Sequence, residues 1–182
     1  TDSTAYFTKE YIEQNDIKVV PLSVTFSGET REEGFPGEFD EFYHKLESSK
    51  DFPTTSQPPI EAFVKVYEEI LANGREIVTI VISEKLSGTY NSATVAANMT
   101  QPDKISVIDS ETTVTNLKML VMIANDMARQ GKSRDEIVET IELEKKKMNV
   151  VLAASTLEYL KRGGRLSATQ ATIGNLLNVK PV

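Results

Sequence analysis

Apolar residues recur along this chain in two alternating rhythms, and the alternation predicts an α/β protein. Short apolar runs suited to strands are separated by stretches with i, i+3, i+4, i+7 spacing, the arrangement of a mostly parallel sheet flanked by helices. Between Asp16 and Phe26, the residues Ile17, Val19, Val20, Leu22, Val24 and Phe26 form an apolar cluster and then alternate strictly with Ser23 and Thr25. A strand is expected there, with an edge or bend at Pro21. Phe39, Phe42, Tyr43 and Leu46 fall on one helical stripe. After a loop over Pro53 to Pro58, Ile60, Phe63, Val64, Tyr67, Ile70 and Leu71 repeat that spacing. Pro59 suits the first turn of this helix, and Asn73-Gly74 its stop.

Ile77 to Ile82 is an unbroken β-rich run, as in a central strand covered on both faces. Ser83 to Thr89 interrupts it and a helix follows through Asn98. Ile105 to Asp109 reads as the next strand, and Leu117, Leu120, Val121, Ala124 and Met127 mark a helix stopped at Gly131. Ser133 with Glu136 three residues on predicts a capping box for one more helix, with Glu142 and Lys146 spaced for surface support. Beyond it the pattern predicts a strand at Val150 to Ala154, a segment from Thr156 to Lys161 and a turn at Arg162-Gly163-Gly164-Arg165. A helix from about Ser167 to Leu177 and a strand at Val179 to Val182 follow. The chain thus reads as an N-terminal α/β domain over residues 1–149 and the start of a second α/β domain over residues 150–182. It is expected to be truncated, because a terminal strand needs a partner for its backbone groups.

Charge narrows the function. With 20 Lys+Arg against 27 Asp+Glu the net charge is −7, and the one basic block is Lys145-Lys146-Lys147, expected to be a solvated helix face. Nucleic acid is set aside, since phosphate neutralisation needs a clustered cationic footprint. The absence of cysteine excludes disulfides, thiolate zinc sites and a cysteine nucleophile, and it fits a cytoplasmic protein. No apolar run reaches the ~18 residues of a membrane span, so stable membrane insertion is not expected. The single histidine, His44, sits beside an apolar helical stripe, as a surface or boundary residue would; a transition-metal site is not expected.

Parallel sheets bind ligands where strands run into helices, so small polar residues at those turns are the candidates. Four stretches qualify: Thr1-Asp2-Ser3-Thr4, Thr54-Thr55-Ser56-Gln57, Ser83 through Tyr90, and Asp109 through Thr113. The third is the best placed, because the Ile77–Ile82 run leads straight into Leu86-Ser87-Gly88-Thr89 and then a helix. A helix start offers unpaired N–H groups and partial positive charge, with Gly88 letting a ligand approach the backbone. Thr54, Thr55 and Ser56 could add hydroxyls to the same pocket. The competing possibility is that these hydroxyls only cap their own helices. Neither a phosphate-loop lysine pattern nor G-x-G-x-x-G occurs, and Glu84 and Lys85 offset each other, so a single carboxylate suits the site better than a triphosphate. Ser87 as the nucleophile of an esterase is the enzymatic alternative, but Lys85 stands where a nucleophile elbow carries glycine. Arg162 and Arg165, flanking two glycines, could hold an anion or a partner, or form a solvated helix-ending turn.

The segments Thr1-Asp2-Ser3-Thr4, Val20-Pro21-Leu22, Pro53 to Pro58, Leu86-Ser87-Gly88-Thr89-Tyr90, Val107 to Ser110 and Thr156 to Arg165 occur in an order that resembles the DegV family of bacterial fatty-acid-binding proteins. The resemblance runs along the whole chain. It implies two α/β domains with the ligand between them, the carboxylate of a long-chain fatty acid at Thr55 and Ser87, and Ser56, Gly88 and Thr89 shaping the cradle. It also implies a partner fatty acid kinase that phosphorylates the presented carboxylate, so that this chain needs no catalytic residue and no further cofactor. Relatives usually add a short strand before Thr1 and a segment beyond Val182 with a head-group histidine. Many carry an acid where this chain has Ser155, and Arg162 and Arg165 match the family motif. A binder of another small apolar acid is the remaining alternative. At roughly 0.8 kcal/mol per buried CH₂, a chain of about sixteen carbons gains on the order of 12 kcal/mol before ordering costs, against ~2–4 kcal/mol from the head group. The tail would supply affinity and the head group orientation.

Overall fold

The computed structural model describes residues 1–150 and 157–166. The chain divides into two compact units, Thr1–Met148 and Asn149–Val182. The first contains α1 (Lys9–Asn15), β1 (Ser23–Phe26), β2 (Glu29–Glu32), α2 (Asp40–Ser48), β3 (Thr54–Ser56), α3 (Ile60–Ala72), β4 (Ile77–Val81), α4 (Thr89–Met99), β5 (Ile105–Asp109), α5 (Val114–Arg129) and α6 (Arg134–Glu144). In the second, α7 (Glu158–Arg162) is the described helix. The strand expected at Val150 to Ala154, the helix from Ser167 and the strand at Val179 to Val182 lie outside the described residues, wholly or for the most part.

The core is a three-layer arrangement dictated by alternation along β4 and β5, which pair in parallel from Ile77↔Ile105 to Val81↔Asp109. Ile77, Val81 and Ile105 face one way, against Phe63, Tyr67 and Leu71 of α3 and Ala93, Ala96 and Ala97 of α4. Ile80, Ile82 and Ile108 face the other way, against Leu117, Leu120, Val121 and Ala124 of α5 and Ile137 and Ile141 of α6. Both faces of β4 are therefore covered, which is why its residues are apolar apart from the buried Thr79. The three alanines of α4 let that helix lie close to the sheet. No helix among the described residues is long and apolar enough to cross a membrane.

A second sheet, with strand order β2-β1-β3 and both pairings antiparallel, is joined to this frame. Pro21 marks the bend in this segment: Val20 forms an isolated parallel bridge with Asp2, and three residues later Ser23 opens β1. The strand expected from Asp16 to Phe26 is thus two short pieces, preceded by the αL cap of α1 at Asp16. β3 lies within the loop expected over Pro53 to Pro58, and β2 falls where no element was expected.

The capping box of α6 forms as expected. Ser133 Oγ accepts the Glu136 N–H, and Glu136 accepts the Ser133 N–H at 2.9 Å. That N–H, followed by the Lys132 ammonium and the Ser133 hydroxyl, holds the Glu136 carboxyl down at about 2. A depressed carboxyl contributes stability above its ordinary value of 4.5 and loses it as pH falls through about 2. Glu136→Gln should remove this contribution. The gap in urea midpoint between the two proteins is expected to be constant above pH 4.5 and to close toward pH 2; a gap independent of pH would show that the charge is not what caps the helix.

Candidate functional site

The Ser83–Gly88 turn is built by backbone bonds before any ligand is considered. Leu86 and Ser87 N–H groups both donate to the Ser83 carbonyl, and Ser83 N–H donates to Thr112 O at 2.9 Å. The β5–α5 turn is locked to it from the other side, where Asp109 Oδ1 accepts from Glu84 N–H at 3.2 Å and Glu111 N–H at 2.9 Å. Lys145 holds that second turn: Nζ donates to Asp109 O at 3.0 Å and pairs with Glu111 and Glu142. Burial alone would lower the Lys145 pKa, but the bonds from Glu142 and Glu111 outweigh it and hold the ammonium above its ordinary value. Its side chain is only 8% exposed. The solvated face expected for Lys145 is corrected accordingly, because three acceptors converge on the amine.

The structure brings Ser87, Gly88 and Thr89 together at the start of α4. Ser87 and Thr89 are buried and their hydroxyls hydrogen-bond each other at 2.9 Å. Neither caps the helix. Gly88 occupies the N-cap position, no side chain accepts from the first turn, and no acidic residue stands in it. Uncapped N–H groups and an uncompensated helix dipole make this turn attractive to an anion.

Thr55 and Ser56 do not cap α3 either, whose N-cap is Pro59 without a side-chain bond. They lie in β3, where alternation sends successive side chains to opposite faces. Thr55 stands opposite Val24, which also pairs with Arg31, so these three share one face, while Ser56 turns to the face of Ser23. Thr55 borders a cavity of about 370 Å³ with Val24, Phe26, Phe39, Phe42 and Tyr43, within the ~300–1,000 Å³ of small-molecule sites. Five glutamates (Glu29, Glu32, Glu33, Glu38, Glu41) also line it against Arg31 and Lys45, so its field disfavours an acid and its walls favour an apolar chain. Tyr6, another lining residue, has its hydroxyl pushed up to about 12 by burial and by Glu33. Ser87 does not line this cavity. Another, of about 330 Å³, borders the beginning of β4 and reaches neither Thr55 nor Ser87.

What ties the two turns together is Gln57, the last residue of the Thr54-Thr55-Ser56-Gln57 stretch. Its Nε2 donates to Ser92 Oγ of α4 at 3.0 Å, and its amide lies against Gly88. A contact 35 residues apart in sequence leaves no local signature. Ser87's hydroxyl partner is Thr89, and the one histidine, His44, is exposed on α2; neither gives Ser87 the adjacent base that a nucleophile needs. No cluster of three or more His, Asp or Glu among the described residues is placed to hold a metal ion. In the second unit, Arg162 ends α7, and Arg165, beyond the left-handed Gly164, donates to Gly163 O at 2.6 Å.

A family model described as "Uncharacterised protein, DegV family" matches residues 1–182. A DegV domain-containing protein of Caldanaerobacter subterraneus is 38% identical over 182 residues, which is all of this chain and 65% of that protein. Among solved structures, a DegV family protein from Thermus thermophilus described by its fatty acid binding matches with a TM-score of 0.88 and 35% identity, over 99% of this chain and 64% of its own. DegV of Bacillus subtilis, described as a fatty acid binding protein, matches with a TM-score of 0.83 and 38% identity, over 99% and 64%. The chain therefore spans about two thirds of the length of these relatives, or slightly less.

Proposed function

The chain belongs to the DegV family, and on that premise we propose that it is a cytoplasmic, non-catalytic carrier that buries a long-chain fatty acid and presents its carboxylate to a partner fatty acid kinase. The observation that carries this reading is the uncapped start of α4 lying against Gln57, two residues after Thr55, with the hydroxyls of both turns left over from helix capping. The carboxylate would accept from Thr55 and Ser87, with Ser56, Gly88 and Thr89 shaping the cradle in a secondary role. The apolar wall that Thr55 shares with Val24 and Phe26 would receive the first methylenes, since the glutamates around it repel the acid end. Ser87 binds rather than attacks: its hydroxyl partner is Thr89, which is not a base.

The proposal includes a division of the natural protein at about residue 149, with residues 150–182 opening a second α/β domain. Arg162 and Arg165 are assigned there to an anion or to the kinase. Solved relatives described as fatty-acid-binding support the ligand class. The test is mass spectrometry of the lipid extracted from the natural protein after purification. Free fatty acids in near-stoichiometric amount are expected. An apolar acid of another class, or no acid at all, would contradict the carrier reading.

A further inference from the structure

We infer that Gln57 is a positioning residue of the head-group cradle, its amide wedged over Gly88 so that it fixes the Thr55 strand against the first turn of α4. The inference rests on the carrier reading above. Gly88 has φ −72° and ψ 11°, a conformation open to any residue, so the glycine is not required by the backbone. Space is what matters in this arrangement: a Cβ at Gly88 would stand 2.7 Å from Gln57 Cδ and 2.9 Å from Nε2, and closer still to Oε1, so it would push that amide, the far end of a flexible side chain, off its place. The group that approaches this backbone is thus the chain's own amide. At its other hand the amide is held by the Nε2–Ser92 Oγ bond of 3.0 Å, and Ser92 is only 2% exposed. The fully buried Pro58 fixes the direction in which the chain leaves Gln57. Thr55 lies two residues before Gln57 and Ser87 one residue before Gly88. The Gln57–Gly88 contact therefore sets the spacing of the two hydroxyls proposed to grip the carboxylate.

The test is a double-mutant cycle in the natural protein with Gly88→Ala, Gln57→Ala and the pair. Palmitate and hexadecanol affinities are measured for each, together with melting temperature without lipid. Gly88→Ala should weaken palmitate by about tenfold, one decade in the dissociation constant, and leave hexadecanol, which has no carboxylate, nearly unchanged. In the Gln57→Ala background the added Gly88→Ala should cost nothing further, because the colliding amide is gone. Losses that multiply would mean that Gly88 serves the ligand directly, and losses shared equally by acid and alcohol would mean a merely structural contact; either overturns the inference. Should the unsubstituted protein bind neither lipid, the carrier reading falls. The contact is still judged by the melts, where Gly88→Ala must lower the midpoint in the presence of Gln57 and not in the Gln57→Ala background.

Discussion

Asp2→Ala is expected to cost roughly 3–5 kcal/mol of stability, read as a fall in the urea midpoint, because it strands three buried donors at once. The Asp2 side chain is fully buried. Oδ1 accepts from Thr4 N–H at 2.8 Å and Thr4 Oγ1 at 2.6 Å, and Oδ2 accepts from Ile82 N–H at 2.7 Å. With the carboxylate gone, each of these loses its partner where water cannot replace it, at about 1–3 kcal/mol per unsatisfied group. Asp2→Asn keeps one acceptor but sets an NH₂ group against a donor, and should fall between the two. The effect reaches the site, since Ile82 is the last residue of the apolar run before the Ser83–Gly88 turn. A loss below about 1 kcal/mol would show that Thr4 and Ile82 find other acceptors and that Asp2 does not anchor the end of β4.

Thr55→Ala combined with Ser87→Ala should reduce palmitate affinity by roughly 10²–10⁴-fold while changing hexadecanol affinity little. Two hydrogen bonds to a charged group are at stake, each worth about 1.5–3 kcal/mol, whereas the burial of methylenes is common to both lipids. The variant should still bind acyl chains, with the head group no longer oriented. Ser87→Ala alone also removes the partner of Thr89 Oγ1, so its melting temperature has to be compared before its affinity is interpreted. Equal losses for acid and alcohol would point to a damaged fold; no loss for either would remove both hydroxyls from the site.

Elements with local signals were legible in the sequence. β5 falls on Ile105–Asp109 as expected, and α6 starts at the Ser133–Glu136 box because both halves of that device lie within four residues. β2 and β3 were not legible. Glu29–Glu32 is exposed throughout, and Thr54–Ser56 carries no apolar alternation, so only pairing to β1 makes them strands. α1 packs only the neighbouring Tyr11 and Ile12 against the core and so shows no i, i+3, i+4 stripe, although Thr8 Oγ1 accepts from Tyr11 N–H and is a readable cap. At the site the hydroxyl residues were recognisable from their place between a strand and a helix. Gln57, Asp2 and Lys145 each make a bond that reaches at least 35 residues along the chain, to Ser92, Ile82 and Asp109, and no spacing rule reports such contacts.

The most direct measurement is a crystal structure of the natural protein with palmitate bound. Carboxylate oxygens are expected within hydrogen-bond distance of both Thr55 Oγ1 and Ser87 Oγ, at the start of α4, with the first methylenes against the Val24 and Phe26 wall. A carboxylate seated elsewhere and touching neither hydroxyl would contradict this placement.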